Sequence, residues 1–297
     1  MGMKHVFPID KLRIIAKTRA WAAQSFTNVL GNLLQSGNQI SEVVLRNHWL
    51  KKIRENSNIY PNGWYLPPPH GIGVLFGTEV NYQRMNYQSL RQENSWPKDN
   101  IFLDKNNGII YVFFSPVDKS TGMIGDWGLT IYFGKNPDII EHLKLCLSLN
   151  YQVLEHAQVG MTFSELTNFA NKLFLKQGLN NEVTSVTDSI GINIGHSVPW
   201  SYEDLTPEEK VIFKTNDWQK IISLINSKRK FLNLYEKLQI QPGMAFTVEQ
   251  RLTKLSNKNI PMSSFHTIAI FHSDERKELL TNFEEVFKLV GMNYMLR

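Results

Sequence analysis

One segment, residues 238–250, constrains the fold of this chain more than any other because it combines a turn, a strand and a carboxylate. Pro242 and Gly243 are typical of a type II turn, since proline fixes its own φ and glycine tolerates a positive φ. The apolar and β-branched residues 244–248 then predict a buried strand. Glu249 ends that strand, and a carboxylate is costly to bury there without a cation or hydrogen-bond donors. The segment therefore predicts a strand that delivers an acidic group to a site.

The composition indicates a globular protein and excludes several classes of partner. The chain has 297 residues, of which 42% are apolar and 20% charged, and its net charge is +5. The basic residues are scattered, so we expect no nucleic-acid partner, which would need a concentrated patch. No apolar run is long enough to span a membrane and we see no signal peptide, so we expect no membrane partner and a cytoplasmic location. The single cysteine, Cys146, lies in an apolar helical pattern and is expected in the core.

The apolar periodicity predicts two rounds of helices followed by strands. The predicted helices are 10–35, 41–52, 137–158, 162–177 and one or two helices within 206–238. The predicted strands are 73–76, 109–114, 129–133 and 244–248. Capping boxes at Thr162 and Thr206, each with a glutamate three residues later, indicate where two of these helices begin.

A short internal repeat supports a duplicated architecture. Residues 37–43 match residues 160–166 in their glycine, serine, glutamate and apolar positions, and each copy separates a long helix from a shorter one. We predict one domain, 1–297, with a first half at about 5–135, a second half at about 136–297, and a helical insertion at about 201–238. The insertion lies between two candidate site motifs, and three roles stay open for it: a lid, a partner-binding segment or a cover for the sheet.

Four segments resemble the signatures of the family that includes creatinase, methionine aminopeptidase and Xaa-Pro aminopeptidase. Residues 238–249 are similar to L-x-x-G-M-x-F-(T/S)-(I/V)-E, and residues 188–199 are similar to H-G-I-G followed by H-E-x-P. Residues 264–268 resemble x-E-H-T-(V/I), and residues 115–126 have the spacing of the family's two aspartates. The resemblance implies an α+β pita-bread fold, in which two pseudo-symmetric halves surround a curved antiparallel sheet.

The resemblance implies five metal-ligand positions, and this chain keeps only some of them. Asp126 and Glu249 match in type, whereas Asp188 takes the place of a histidine. Ser115 stands where the family has an aspartate, and Phe265 stands where it has a bridging glutamate. Two dications need bridging carboxylates, so we expect at most one divalent ion, Mn, Co, Zn or Fe, on Asp126, Asp188 and Glu249. A site without metal is the open alternative.

The resemblance also implies catalytic roles for His196, Glu249 and His266. His196 takes the place of the family histidine that contacts substrate and assists proton transfer, and creatinase implies that this fold can cleave a C–N bond without metal. His70, which follows three prolines, and Trp127 are candidate substrate contacts. For His70, His196 and His266 a purely structural role is the competing interpretation.

These features predict a diverged aminopeptidase- or creatinase-like enzyme that cleaves a C–N bond in a small amide, an amidine or a peptide N-terminus. The expected partner is a small-molecule or short-peptide substrate, and a homodimer is left open. The alternative is a catalytically inactive pita-bread module that binds a peptide or protein, similar to the peptidase-like domain of a histone chaperone. An enzyme should gather the acids and histidines around a closed polar pocket, whereas a binding module should fill that pocket with apolar side chains.

Overall fold

The computed structural model describes residues 9–182 and 187–297. The start of the predicted first half lies outside these residues, as does the N-terminal segment in which a signal peptide would be found. The described helices are α1 Ile9–Gln35, α2 Glu42–Ile53, α3 Pro137–His156, α4 Phe163–Lys176, α5 Pro207–Thr215, α6 Trp218–Lys228 and α7 Glu284–Val290. The described strands are β1 Ile72–Thr78, β2 Gly108–Phe114, β3 Trp127–Tyr132, β4 Leu179–Asn181, β5 Gly195–Ser197, β6 Ala245–Val248, β7 Arg251–Lys254, β8 Ser263–Ser264, β9 Thr267–Phe271 and β10 Lys277–Leu280.

The strands form three antiparallel ladders, ordered β1-β2-β3, β10-β9-β6-β5 and β4-β7-β8. The first ladder is joined to the segment that links β8 and β9. Leu129 of β3 bridges to Phe265, and the backbone N–H of His266 donates to the carbonyl of Gly128 at 2.8 Å. The fold is thus mixed α/β with antiparallel sheets, and this seam places residues 265–266 against the start of β3.

Local capping chemistry determines where several helices begin, as the sequence predicts. The Ser41 side chain accepts a hydrogen bond at the start of α2. Thr162 and Glu165 form a reciprocal capping box at α4, and Thr206 and Glu209 form another at α5. Each box satisfies two backbone N–H groups that have no partner within the helix.

The two copies of the repeated heptapeptide have related but not identical structures. Gly37 and Gly160 both adopt positive φ angles, 73° and 90°. Gly37 follows closely after the end of α1 at Gln35, whereas α3 already ends at His156, before Gly160. Helix α2 is capped by Ser41, whereas α4 is capped by Thr162, which lies earlier in the repeat. The two-half organisation therefore stays a prediction.

The predicted insertion contains α5 and α6 and packs against the N-terminal part of the chain. Trp218 of α6 lies against Tyr60, with ring centroids 4.7 Å apart, and the Tyr60 hydroxyl donates to the carbonyl of Phe213 at 3.2 Å. The chain then returns to the sheet, where Phe231 bridges to His196 of β5. The end of the insertion consequently borders the residues that the sequence marks as a site. Within the described ranges, no helix combines the length and apolarity that a membrane crossing requires.

Candidate active site

Asp126 is a fully buried carboxylate at the entrance to β3, and its backbone is held from helix α1. The guanidinium of Arg19, also fully buried, donates to the carbonyl of Asp126. The preceding residue is Gly125, where an added Cβ would lie 2.4 Å from the backbone nitrogen of Arg19. Only glycine allows α1 to approach this closely, so the Gly125-Asp126 pair fixes the carboxylate against the helix.

His266 faces the carboxylates of Asp126 and Glu249, and its neighbour Phe265 faces away from them. The Nδ1 atom of His266 donates to Oδ1 of Asp126 at 2.6 Å and lies 3.2 Å from Oε2 of Glu249. Phe265 packs instead against Phe283, with ring centroids 5.9 Å apart. Successive residues of an extended segment point to opposite sides, so position 266 rather than 265 supplies the side chain that faces the carboxylates. The sequence comparison places Phe265 at a ligand position of the family, whereas in the structure the neighbouring His266 faces the carboxylates.

Glu249 and His196 complete the group. Gly243 has the positive φ of 85° that the predicted turn requires, and β6 then carries the chain to Glu249. His196 lies on β5, paired with Thr247 of β6. Its Nε2 atom is 3.8 Å from Oδ2 of Asp126 and 3.9 Å from Oε1 of Glu249. Two carboxylates and two imidazoles thus meet at one place, from four separate parts of the chain.

The environment of His196 favours its neutral form. Burial lowers the pKa of His196, while the carboxylates of Glu249 and Asp126 act in the opposite direction. Its Nδ1–H donates to the carbonyl of Ser197 at 2.9 Å, which fixes the tautomer because a carbonyl can only accept. Nε2 is therefore a free acceptor directed at the acidic group, as a general base requires.

A small buried cavity lies beside these residues. Its volume is about 20 Å³, which is room for about one water molecule. Trp64 and other aromatic and aliphatic side chains form its apolar wall. Its polar lining consists of Asp126, Asn193, His196, Arg229, Glu249 and Arg251. A narrow polar pocket is therefore present, and its lining includes Asp126, His196 and Glu249 but not Asp188 or His266.

Two buried arginines give the cavity positive charge without a fixed counterion. Arg229 is stacked between the rings of Trp64, at 4.7 Å, and Phe231, at 4.2 Å, and its Nε has no hydrogen-bond partner among the described residues. Arg251 lies over the ring of Tyr87 at 4.4 Å, and its Nε likewise lacks a described partner. Burial lowers the pKa of Arg229 to about 10, so it remains charged at neutral pH. Neither arginine is within salt-bridge distance of a described carboxylate, and an anionic ligand group would supply one.

The donors at this site fit one divalent ion. Asp126, Glu249 and His266 each offer a ligand atom, and the three atoms lie within 4.8 Å of one another. Oδ2 of Asp126 is buried without a described partner. The hydroxyl of Tyr111 lies 3.0 Å from Nε2 of His266 and can accept that N–H when Nδ1 serves as a ligand. One imidazole and two carboxylates suit Mn, Fe, Co or Zn.

The position of the missing aspartate does not offer donors for a second ion. The hydroxyl of Ser115 is fully buried and accepts a hydrogen bond from the indole N–H of Trp64 at 2.6 Å. Phe265 also faces away from the group, so within residues 9–182 and 187–297 the converging donors are the three described above.

Asp188, predicted as a metal ligand, is outside the group of three converging donors. Its carboxylate accepts hydrogen bonds from the side-chain amides of Asn193, at 3.1 Å, and Asn233, at 3.3 Å. Asn193, rather than Asp188, therefore lines the cavity in this part of the chain, and Asp188 holds the Asn193 side chain.

The two predicted substrate contacts also lie away from the cavity lining. Trp127 faces the core, where its ring centroid is 5.3 Å from that of Phe26 and 5.9 Å from that of Trp49. It follows Asp126 directly, and successive residues of an extended segment face opposite sides, so both cannot point into the site. His70 sits in a tight turn with a φ of 63°, and its Nδ1 is 3.2 Å from Oδ1 of Asn62.

Sequence reasoning did not single out several residues that shape the site. Arg229 belongs to a run of three basic residues, 228–230, a pattern that is typical of solvated surface. Arg251 offered a usable signal, since it lies two residues beyond Glu249 and so falls on the same face of an extended segment. Asn193 and Tyr111 carry no pattern that separates them from ordinary loop and strand residues.

Comparison with known proteins gives a sequence family and a fold. The sequence model of metallopeptidase family M24 matches residues 94–272. No protein with curated annotation matches the chain in sequence.

Several solved peptidases have a similar fold. The X-Pro aminopeptidase from Thermotoga maritima superposes with a TM-score of 0.58 at 11% identity, over 94% of this chain and 63% of that one. The prolidase from Pyrococcus furiosus gives 0.59 at 12% identity, over 94% and 66%. A methionine aminopeptidase from Thermotoga maritima gives 0.54 at 11% identity, over 90% and 96%. The chain thus spans 63% and 66% of the length of the first two proteins, and the likeness shows the pita-bread fold.

Proposed function

Because the chain belongs to metallopeptidase family M24, we propose that it is a diverged aminopeptidase- or creatinase-like enzyme that cleaves a C–N bond. The substrate is a small amide, an amidine or a peptide N-terminus, and at most one metal ion takes part. One observation carries the proposal: His196 Nε2 lies 3.8 and 3.9 Å from the carboxylates of Asp126 and Glu249, beside a buried cavity. A buried histidine whose pKa is lowered by burial and that lies beside two carboxylates is typical of general acid–base catalysis.

Each residue has a role that follows from its position. A divalent ion on Asp126, Glu249 and His266 would polarise the scissile carbonyl or a water molecule when bound. Glu249 orients the attacking water through its second oxygen. His196, neutral and with a free Nε2, takes a proton from that water and returns it to the leaving nitrogen.

The arginines support a substrate that carries a carboxylate. Arg229 and Arg251 line the same cavity as Asp126 and Glu249 and lack a carboxylate partner among the described residues. A carboxylate placed between them would form charge-assisted hydrogen bonds in a buried setting. Short peptides with a free C-terminus meet this requirement.

We expect Glu249→Gln to lower kcat/KM about a hundredfold or more, since it removes the negative charge that binds the ion and orients the attacking water but keeps the shape of the side chain. Hydrolysis is measured on a panel of dipeptides, N-terminal methionine peptides and amidines, with and without added divalent metal. Glu285→Gln is the matched control, because the Glu285 side chain is 76% exposed. Equal rates for Glu249→Gln and wild type would refute the assigned role, and no turnover by the wild type on any substrate would refute the proposed function.

The second candidate function is a catalytically inactive module that binds a peptide or protein. It is supported by the small volume of the cavity and by a groove of about 330 Å³ elsewhere on the surface. Exposed apolar side chains line that groove, among them Leu175, Ile192, Leu234 and Tyr235. Binding of apolar peptides that Ile192→Asp abolishes, in a protein inactive on the whole panel, would favour this function.

We also propose the two-half organisation and a homodimer. The repeated glycines with left-handed φ angles support the first proposal. Light scattering of the purified protein tests the second, and a monomer at all concentrations would contradict it.

A further inference from the structure

Asn193 presents an acceptor to the cavity that nothing in the described protein uses. The residue is 1% exposed and lines the cavity. Its side-chain NH2 donates to Oδ2 of Asp188 at 3.1 Å. If the amide were turned round, its oxygen would face the carboxylate and this hydrogen bond would be lost, because both atoms are acceptors. Oδ1 of Asn193 is therefore the atom left free, and it is buried with no partner among the described residues.

The orientation of this amide is built from several elements. Asp188 is held by the Asn233 side-chain amide, at 3.3 Å, and by the backbone N–H of Ile190, at 3.1 Å. The Asn181 side chain donates to the backbone carbonyl of Asn193 at 2.9 Å. Asp188 and Asn233 thus prevent the amide from turning its NH2 toward the cavity.

A second free acceptor lines the same space. Oδ2 of Asp126 is also buried and without a described partner. Leaving two buried acceptors unsatisfied is unfavourable, and a ligand with an N–H-rich group would satisfy both. A protonated amine carries three donors, so it can donate to more than one acceptor of the cavity.

We propose that Asn193 is a specificity-determining residue whose Oδ1 accepts a hydrogen bond from the α-amino group of the substrate, and that Asp188 and Asn233 position it. The inference rests on the proposed function, because it names the group by which that substrate is recognised. It assigns the acidic side of the cavity to the amino end of the ligand.

The test compares two ligands that differ only in this group. Glycyl-proline and acetyl-proline share every heavy atom except the amine. Their binding is measured by calorimetry in Glu249→Gln protein, where turnover is suppressed. We expect glycyl-proline to bind about tenfold or more tightly than acetyl-proline, and Asn193→Ala to reduce that preference about tenfold. The affinity for acetyl-proline should change less than about threefold.

Further variants separate recognition from folding. Asn106→Ala changes an exposed asparagine and should leave both affinities unchanged. Asp188→Asn removes the charged acceptor behind Asn193, lets the amide turn, and should reduce the preference in part. This variant also decides the matter if Asn193→Ala does not fold.

Two outcomes overturn the inference. Equal weakening of both ligands by Asn193→Ala would show a merely structural residue, and an unchanged preference would show that the amine lies elsewhere. If neither ligand binds, the amine assignment fails, whereas the proposed function is decided separately by the hydrolysis panel, which includes substrates of other classes.

Discussion

Protein with Asp126 replaced by alanine should lose both bound metal and hydrolytic activity. Asp126 is fully buried, it is one of three residues whose ligand atoms converge within 4.8 Å, and it also contacts His266 directly. We expect about one equivalent of a divalent metal in the wild type, and affinity weaker by about a hundredfold or more in Asp126→Ala, because only two donors remain. Elemental mass spectrometry after incubation with manganese, cobalt, zinc or iron measures this.

The controls distinguish a mononuclear site from other arrangements. Asp274→Ala removes an exposed carboxylate and should leave the metal content unchanged. Glu249→Ala and His266→Ala should both behave like Asp126→Ala. Two equivalents in the wild type would contradict the account of Ser115 and Phe265. If no metal were bound under any condition, the metallopeptidase hypothesis would be wrong. Creatinase-like acid–base chemistry or a binding role would then remain.

The part of the fold that the sequence predicts is the part determined by local chemistry. The helix that follows Ser41 and the helices that follow Thr162 and Thr206 begin where their capping groups place them. The turn at Gly243 and strand β6 follow from φ preference and apolar pattern. The division into three ladders and the seam between β3 and residues 265–266 depend on long-range pairing, for which the sequence carries no local signal.

The same distinction applies to the site. Asp126, His196 and Glu249 lie in segments with a recognisable pattern, and the structure brings them together. Comparing His266 with the family motif position by position does not show its role. Which side chain of this extended segment faces the carboxylates depends on the direction in which alternating residues point, and only the structure shows that. Arg229 reaches the cavity only because the insertion folds back over Trp64, a contact between residues far apart in the chain.

Replacing Arg19 with methionine should destabilise the fold by about 3–5 kcal/mol, through loss of a buried cation that serves several acceptors. Arg19 is fully buried, donates to the backbone carbonyls of Asp126, His266 and Thr281, and bonds Oδ1 of Asn282 at 3.2 Å through Nε. Burial lowers the pKa of Arg19 to about 9, which reflects the cost of placing this charge in the core. Methionine keeps much of the length but leaves all four acceptors without a donor.

Urea unfolding measures the effect, with Arg13→Met as the matched control, because Arg13 lies on the same helix and is exposed. Arg19→Lys keeps the charge and fewer donors, and should fall between wild type and Arg19→Met. Because Arg19 holds the backbone of both Asp126 and His266, its loss should also lower metal affinity under conditions where the variant is still folded. A stability loss below about 1 kcal/mol would contradict the account, since a buried cation with four acceptors cannot be removed so cheaply. Helix α1 contributes no side chain to the cavity lining. Through Arg19 it nevertheless fixes two of the metal-binding residues, Asp126 and His266, relative to each other.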